Sequence, residues 1–264
     1  MLLFAGLVFA AKLGDAIRWV EAGAAFVAYC AASSAAYLVN DVRDAEHDRR
    51  HPLKGLRPVA RRELSPRTAL SLAAGLVLLA AVLVAPLGIV SLGFLALFLA
   101  LQGAYSFGLK HVVLLDVFVI AGLFVIRSAA GAAAVHVRIS PWLLLVTALL
   151  ALFLALAKRR SELVLPGSSR PVLDGYSLVL VDQLIAVTAA CTIAAYAVYT
   201  LTAHTAAMAA TIPFVVFGLF RYLLLVHRDD LGEEPENVLL TDRPLVLAVA
   251  LWALTAATIL ALTD

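Results

Sequence analysis

Apolar positions run along the chain in eight long, nearly unbroken stretches: residues 19–39, 69–85, 91–107, 112–134, 142–157, 178–199, 206–225 and 245–262. Each is close to the roughly 20 residues that a helix needs to cross a bilayer. Polar and turn-forming residues separate them, and none shows the period-two alternation of a half-buried strand. A ninth apolar piece, residues 1–11, opens the chain. Eleven helical residues rise only about 16 Å, too little to cross alone, and the piece lacks the basic leader and cleavage-like site of a signal peptide. The expectation is a first span that begins inside the membrane. The pattern predicts an all-α polytopic membrane bundle of about nine transmembrane helices, with residues 1–264 forming one transmembrane domain.

Composition agrees. The 264 residues are 63% hydrophobic and 14% charged, where soluble domains run about 45–50% apolar and about 25% charged. That excludes a water-soluble globule and a disordered chain. A net charge of +2 excludes a binding module built on a strong basic excess, so no nucleic-acid partner is expected. Cys30 and Cys191 lie in apolar stretches with no zinc spacing and no disulfide framework.

The position of the charges says more than their sum. Sixteen of the twenty lysines and arginines fall on alternate loops, starting with the segment that carries Arg43, Arg49, Arg50, Lys54, Arg57, Arg61, Arg62 and Arg67. Cytoplasmic loops carry such an excess, so these loops are expected on the cytoplasmic side. Most carboxylates share that side, among them Asp41, Asp44, Glu46, Asp48, Glu162, Asp174 and Asp242. Topology alone calls for the cations but not for acids interleaved with them. Mixed charge on one face suggests a site for metal and phosphate.

The sharpest motif is Asn40-Asp41-Val42-Arg43-Asp44-Ala45-Glu46-His47-Asp48, directly after the 19–39 stretch. At about 100° per residue, Asp44 lies about 60° and Asp48 about 20° from Asp41 on a helix, so the three carboxylates share one face. Like charges so spaced call for a compensating cation. A partial set of hard oxygen ligands suits Mg²⁺, which keeps waters and bridges substrate phosphates. The plainer alternative is a solvated acidic helix end, poorly placed against the helix dipole.

Other candidates lie on the same side. His51-Pro52-Leu53-Lys54-Gly55-Leu56-Arg57-Pro58 holds two cations suited to phosphate oxygens, or it is simply a topogenic loop. Gln102, Tyr105 and Lys110 close the fourth span with an amide, a phenol and an ammonium; an interfacial aromatic anchor is the ordinary alternative. Asp116 and Arg127 sit within one span, where charges usually face an interior; a structural ion pair and a substrate contact both remain open. Lys158, Arg159 and Glu162 open the next charged loop, followed by Asp174, Tyr176 and Asp182. Lys158 and Glu162, four apart, are either a surface helix pair or part of an anion pocket. Arg221, just inside the eighth span, is a further phosphate candidate.

No phosphate-binding glycine loop, dinucleotide fingerprint, metalloprotease helix or serine elbow is present. The polar residues gather at one face rather than along a midplane path, which argues against a transporter, the second functional class considered.

Taken together, the apolar segments and the Asn40-Asp41-x-x-Asp44-x-x-x-Asp48 motif resemble the intramembrane UbiA-type prenyltransferase superfamily. The chain is most similar to the branch of that superfamily that moves phosphoribosyl groups. That likeness is carried by Tyr37-Leu38-Val39-Asn40-Asp41-Val42-Arg43-Asp44, by Asp48 with His51-Pro52, Lys54 and Arg57-Pro58, by Tyr105-x-Phe107-Gly108-Leu109-Lys110-His111, by Ile126-Arg127-x-x-x-Gly131, by Lys158-Arg159-x-x-Glu162-Leu163 and by Gly232-Glu233-x-Pro235-Glu236. Aromatic prenyltransferases of the superfamily usually carry a second aspartate-rich motif, where this chain has Lys158, Arg159 and Glu162. The resemblance implies a transferase that moves 5-phosphoribosyl from phosphoribosyl diphosphate to a polyprenyl (decaprenyl) phosphate, releasing pyrophosphate for cell-wall arabinan synthesis. Asn40, Asp41, Asp44 and Asp48 would be catalytic, with Mg²⁺ on the three aspartates. Lys54, Arg57, Gln102, Tyr105, Lys110, Arg127, Lys158, Arg159, Glu162, Tyr176 and Arg221 would bind substrate. It further implies a bacterial inner-membrane location with the site on the cytoplasmic side, and leaves a homo-oligomer open. Prenyl transfer to an aromatic acceptor is the alternative. The family also carries a basic, tryptophan-containing segment ahead of its first span, which this sequence lacks.

Overall fold

The computed structural model describes residues 3, 16–49, 54–164, 171–202, 206–228 and 235–263. Among them are nine α-helices and no strand: α1 (Ala16–Asp48), α2 (Pro66–Val84), α3 (Ile89–Phe107), α4 (Leu115–Ala134), α5 (Pro141–Val164), α6 (Leu178–Thr202), α7 (Ile212–Arg228), α8 (Pro235–Thr241) and α9 (Arg243–Thr263). Eight segments are long and apolar enough to cross a membrane, one for each of the eight stretches. The piece at residues 1–11 lies outside the described residues except for Leu3. Large apolar side chains stay exposed along the helices, Leu78 (66%), Leu254 (64%) and Phe220 (59%) among them. In water such a surface would aggregate; facing lipid tails, it costs nothing. The protein is an integral membrane protein.

The chain packs as two compact units, Met1–Leu109 with Val125–Ile139, and Lys110–Phe124 with Ser140–Asp264. In the first, α1 lies against α2 and α3. Along α1 the alanines Ala22, Ala25, Ala28, Ala31, Ala32 and Ala35 are all buried, and small residues let membrane helices approach closely. The α2 start is written locally: Ser65 accepts from the Thr68 N–H at 3.1 Å, and Pro66 takes the first helical position. Gly88, at φ 101°, makes the turn into α3 that a side chain would resist.

The second unit pairs α5 with α6 and α7 with α9. Its core gathers Val117, Phe153, Val172, Tyr176, Ile185, Leu219, Tyr222, Leu225 and Leu245.

Two helices outrun their apolar stretches. The 33 residues of α1 span about 50 Å, well beyond the roughly 30 Å hydrocarbon layer. Its last two turns therefore carry Asn40 to Asp48 beyond the apolar stretch on an unbroken helix. Likewise α5 continues past Ala157 through Lys158, Arg159 and Glu162. Both chemical motifs thus stand on rigid helix, not loop.

Candidate active site

The carboxylate face predicted for α1 forms, and its partner is an arginine. Arg57 places Nη1 2.8 Å from Asp41 Oδ1 and 2.9 Å from Asp48 Oδ2. The two aspartates are seven residues apart, so the helix returns them to one side after two turns. Asp48 is nearly sealed, its side chain 4% exposed, while Arg57 keeps 37%. The segment that delivers Arg57 is tied back to the same helix: Arg49 Nε donates to the Ala60 carbonyl at 3.1 Å, and Ala45 packs with Val59 and Ala69. Asn40 and Asp44 are half-buried. Among the described residues, no three His, Cys, Asp or Glu side chains converge as a ready metal cage. Instead one guanidinium nitrogen, shared by two carboxylates, occupies a position suited to a cation. Lys54 begins a 3₁₀ turn (Lys54–Leu56), but its side chain and residues His51 and Pro52 lie outside the described residues.

Arg43, inside the same motif, turns the other way. Its Nη1 donates to the Ser106 carbonyl and its Nη2 to the Phe107 carbonyl at 3.0 Å, with the guanidinium 4.6 Å from the Phe107 ring centre. These are orphan carbonyls at the end of α3, and a cation there also meets the negative end of the helix dipole. Gln102 and Tyr105, on the last turns of α3, are half-buried, as is Lys110 just beyond. The Gln102 side-chain oxygen is buried without a hydrogen-bond partner. Arg127 lies over the Phe98 ring at 5.8 Å. Among the described residues, Asp116 pairs with Arg159 and Tyr176 and not with Arg127.

In the second unit, Lys158, Arg159 and Arg160 point three ways, as consecutive helix residues about 100° apart must. Arg159 is 1% exposed and pairs with Asp116 Oδ2 at 2.7 Å and with Glu162. Glu162 therefore takes Arg159, three residues back, rather than Lys158, four back. The Tyr176 hydroxyl donates to Asp116 Oδ1 at 2.6 Å and accepts from the Leu114 N–H at 2.8 Å. Leu114 sits at φ 66°, a left-handed conformation that costs a leucine about 1–2 kcal/mol, so the phenol holds a strained corner before α4. Burial, and then the bond to Asp116, push the Tyr176 phenol up, so it stays a proton donor. Arg160 reaches Asp182 Oδ1 at 2.8 Å and the Val226 carbonyl at 3.0 Å, and His227 Nε2 lies 3.3 Å from the same Asp182 oxygen. Lys158 is half-buried and makes no hydrogen bond or ion pair among the described residues. Of the three cations it is the one without a carboxylate partner among the described residues.

Arg221 meets Asp242 two-pronged, Nε to Oδ1 at 3.1 Å and Nη2 to Oδ2 at 2.8 Å. Asp242 Oδ1 also accepts the Leu245 N–H at 2.9 Å, which caps α9. The Arg221 bond, with help from the Leu245 amide, holds the Asp242 carboxyl below the usual range. Arg221 thus fastens α7 to the start of α9.

Sequence reasoning named Asp182 and Asp242 without their partners and missed Arg43, Arg160 and His227 as contributors. Arg43 was visible inside its motif; the others need a partner distant in sequence. A family model described as the UbiA prenyltransferase family matches residues 1–240. The chain belongs to the UbiA prenyltransferase family. It is 35% identical over 250 residues to the decaprenyl-phosphate phosphoribosyltransferase of Mycolicibacterium smegmatis, covering 86% of this chain and 76% of that protein. The enzyme of the same name from Mycobacterium tuberculosis is 33% identical over 263 residues, covering 93% and 85%. In three dimensions, a UbiA homolog from Archaeoglobus fulgidus bound to GPP and Mg²⁺ superposes with a TM-score of 0.76 at 17% identity, covering 98% of this chain and 94% of that one. That likeness fixes the fold of this UbiA-family chain.

Proposed function

We propose that this UbiA-family protein transfers 5-phosphoribosyl from phosphoribosyl diphosphate to a polyprenyl phosphate, on the cytoplasmic side of a bacterial inner membrane, supplying a lipid-linked pentose for cell-wall arabinan. The observation that carries the reading is the 33–35% identity, over most of the chain, to proteins named for that activity. The site chemistry supports it. An oxygen of the lipid phosphate, already ionised, attacks the anomeric carbon of the ribose. The carbon–oxygen bond to the diphosphate breaks, and the diphosphate leaves with the electron pair. No proton changes hands, so no general base is required. Attack opposite the leaving group inverts the anomeric centre.

The demand on the protein is charge management. The donor set fits a divalent cation: hard oxygens of Asp41, Asp44 and Asp48 on one helix face, two of them already clasping a single cationic nitrogen. These three would hold Mg²⁺, which when bound supplies positive charge to the departing diphosphate. Arg57, 37% exposed, would exchange its carboxylate partners for phosphate oxygens, for which its planar fork is suited. On the second unit, Lys158, unpaired among the described residues, would offer a point charge to a phosphate. Arg159 and Arg221 serve less directly, by holding buried structure in place.

The test incubates purified protein and Mg²⁺ with labelled phosphoribosyl diphosphate and polyprenyl phosphate, and in parallel with polyprenyl diphosphate and 4-hydroxybenzoate. Labelled lipid in the first tube, abolished by chelation, is expected. Product only in the second tube would assign the chain to aromatic prenyl transfer.

A further inference from the structure

Lys110 stands half-buried in a short 3₁₀ turn (Leu109–His111) ahead of α4. The corner that follows it, Val112-Val113-Leu114, is held in a conformation its own residues resist. Val112 and Leu114 remain 45% and 40% exposed, so burial does not fix the corner. Leu114 nevertheless adopts φ 66°. A residue in so sparse a region persists only where its surroundings over-determine it, and such residues gather at ligand clamps.

The restraint comes from residues 171–176 of the same unit. The Tyr176 hydroxyl accepts the Leu114 N–H at 2.8 Å, just ahead of α4, where donors lack acceptors within the helix. The same hydroxyl donates to Asp116 Oδ1 at 2.6 Å, and Asp116 is pinned through its other oxygen by Arg159 Nε at 2.7 Å. With its proton given, its oxygen accepting and only 7% of the residue exposed, the Tyr176 phenol is spent on the protein. Beside it, Gly175 lies so close to the corner that a Cβ there would overlap Val113 Cγ2. Val172 and Tyr176 seat this segment in the core of the unit, so the corner rests against a fixed platform. A corner that only linked two helices could relax. One gripped at its backbone and crowded at its side chain fixes how the chain arrives, and Lys110 lies four residues before Leu114.

We infer that Tyr176 and Gly175 are positioning residues for the phosphoribosyl donor: they fix the 112–114 corner and, through it, place Lys110 for a phosphate of that donor. The inference rests on the phosphoribosyl-transfer reading. It changes Tyr176 from the substrate contact expected from the sequence into a group that acts through Lys110. Lysine is a point charge on a flexible four-carbon stem, so its reach is set by where the backbone starts it. The buried Asp116–Arg159 pair then has a second consequence besides stability, because Asp116 holds the phenol that holds the corner.

The experiment moves the corner without touching Lys110. Gly175→Ala puts a methyl group where Val113 Cγ2 stands, and Val113, stiff at its branched carbon, must give way. Val113→Ala removes the obstructing methyl, so the double variant restores the room. KM for phosphoribosyl diphosphate and for polyprenyl phosphate is measured on the solubilised protein, with thermal midpoints to show folding. Gly175→Ala is expected to raise KM for phosphoribosyl diphosphate roughly tenfold, the worth of one charge-assisted contact, and to leave KM for polyprenyl phosphate unchanged. Gly175→Ala/Val113→Ala returns to the parent value. Lys110→Ala raises the same KM by a similar factor, and Gly175→Ala adds nothing to it, because the contact it governs is already gone. Tyr176→Phe deletes the grip on Leu114 and gives the same donor-specific rise; it carries the test should Gly175→Ala not fold. An unchanged donor KM in folded Gly175→Ala and Tyr176→Phe, or in Lys110→Ala, would overturn the proposal. So would equal rises for both substrates, or a Gly175→Ala effect that multiplies with that of Lys110→Ala. A parent protein that makes no phosphoribosyl lipid at all would instead overturn the function from which the proposal starts.

Discussion

Replacing Arg159 by methionine is expected to be among the most damaging single changes in the second unit. Methionine keeps much of the stem volume and removes the charge, so packing is disturbed little. What remains is two carboxylates, Asp116 at 0% and Glu162 at 10% side-chain exposure, that have lost the guanidinium between them. The Tyr176 hydroxyl still donates to Asp116, so that carboxylate keeps one partner. Stranding one member of a buried pair typically costs about 3–5 kcal/mol, and solvent screening offers little relief at these exposures. Protonation of a carboxyl caps the penalty near that range. Unfolding of detergent-solubilised protein by SDS, followed through tryptophan fluorescence, measures it. The double variant Arg159→Met/Asp116→Asn should lose less than the sum of the singles, by about 0.5–3 kcal/mol, because the residues are in contact. An Arg159→Met protein within about 0.5 kcal/mol of the parent, the range of inconsequential surface changes, would refute the buried network. Arg159 would then be free to face a ligand, as the sequence motif suggests.

Three further outcomes follow from the same geometry. Asp41→Ala, at a half-buried position, should retain its fold yet lower kcat by at least about 100-fold, the scale of losing one centre of charge stabilisation; initial rates at saturating Mg²⁺ decide it. Tyr176→Phe removes a donor to Asp116 and leaves the Leu114 N–H without its acceptor, for an expected loss of about 1–3 kcal/mol, read in the same SDS titration. Asp242 is held below its ordinary pKa, so its bond to Arg221 contributes stability in full above the unfolded value near 3.9 and loses it as pH falls through the lower folded value. The gap in melting midpoint between parent and Asp242→Asn should therefore be constant from neutral pH down to about 5 and shrink only in more acidic buffer; a gap that already closes near pH 6 would assign the pH dependence to another group.

The eight spans were legible because lipid imposes a simple rule: a long apolar stretch must be a helix, and its ends are marked by charge. The Asp41 and Asp48 pairing was legible for the same reason, since helical periodicity alone puts residues seven apart on one side. What hydropathy could not show is that α1 and α5 continue as helix past Val39 and Ala157, because polar turns beyond the apolar stretch leave no trace in it. The Lys158-Arg159-Arg160 run marks the limit most clearly. Read as a block of charge it suggests one anion pocket, yet three successive positions on a helix cannot share a pocket. Periodicity already separates them, but only the distant Asp116 and Asp182 decide which cation is consumed. Arg159 goes to a buried carboxylate 43 residues earlier and Arg160 to a half-buried one 22 residues later. Lys158 is left unpaired among the described residues, although by composition it is the least distinctive of the three. In a membrane chain with so few charges, each buried carboxylate removes one cation from the set that can bind substrate. In the second unit's basic run, the structural pairs drawn among the described residues take Arg159 and Arg160 and leave Lys158.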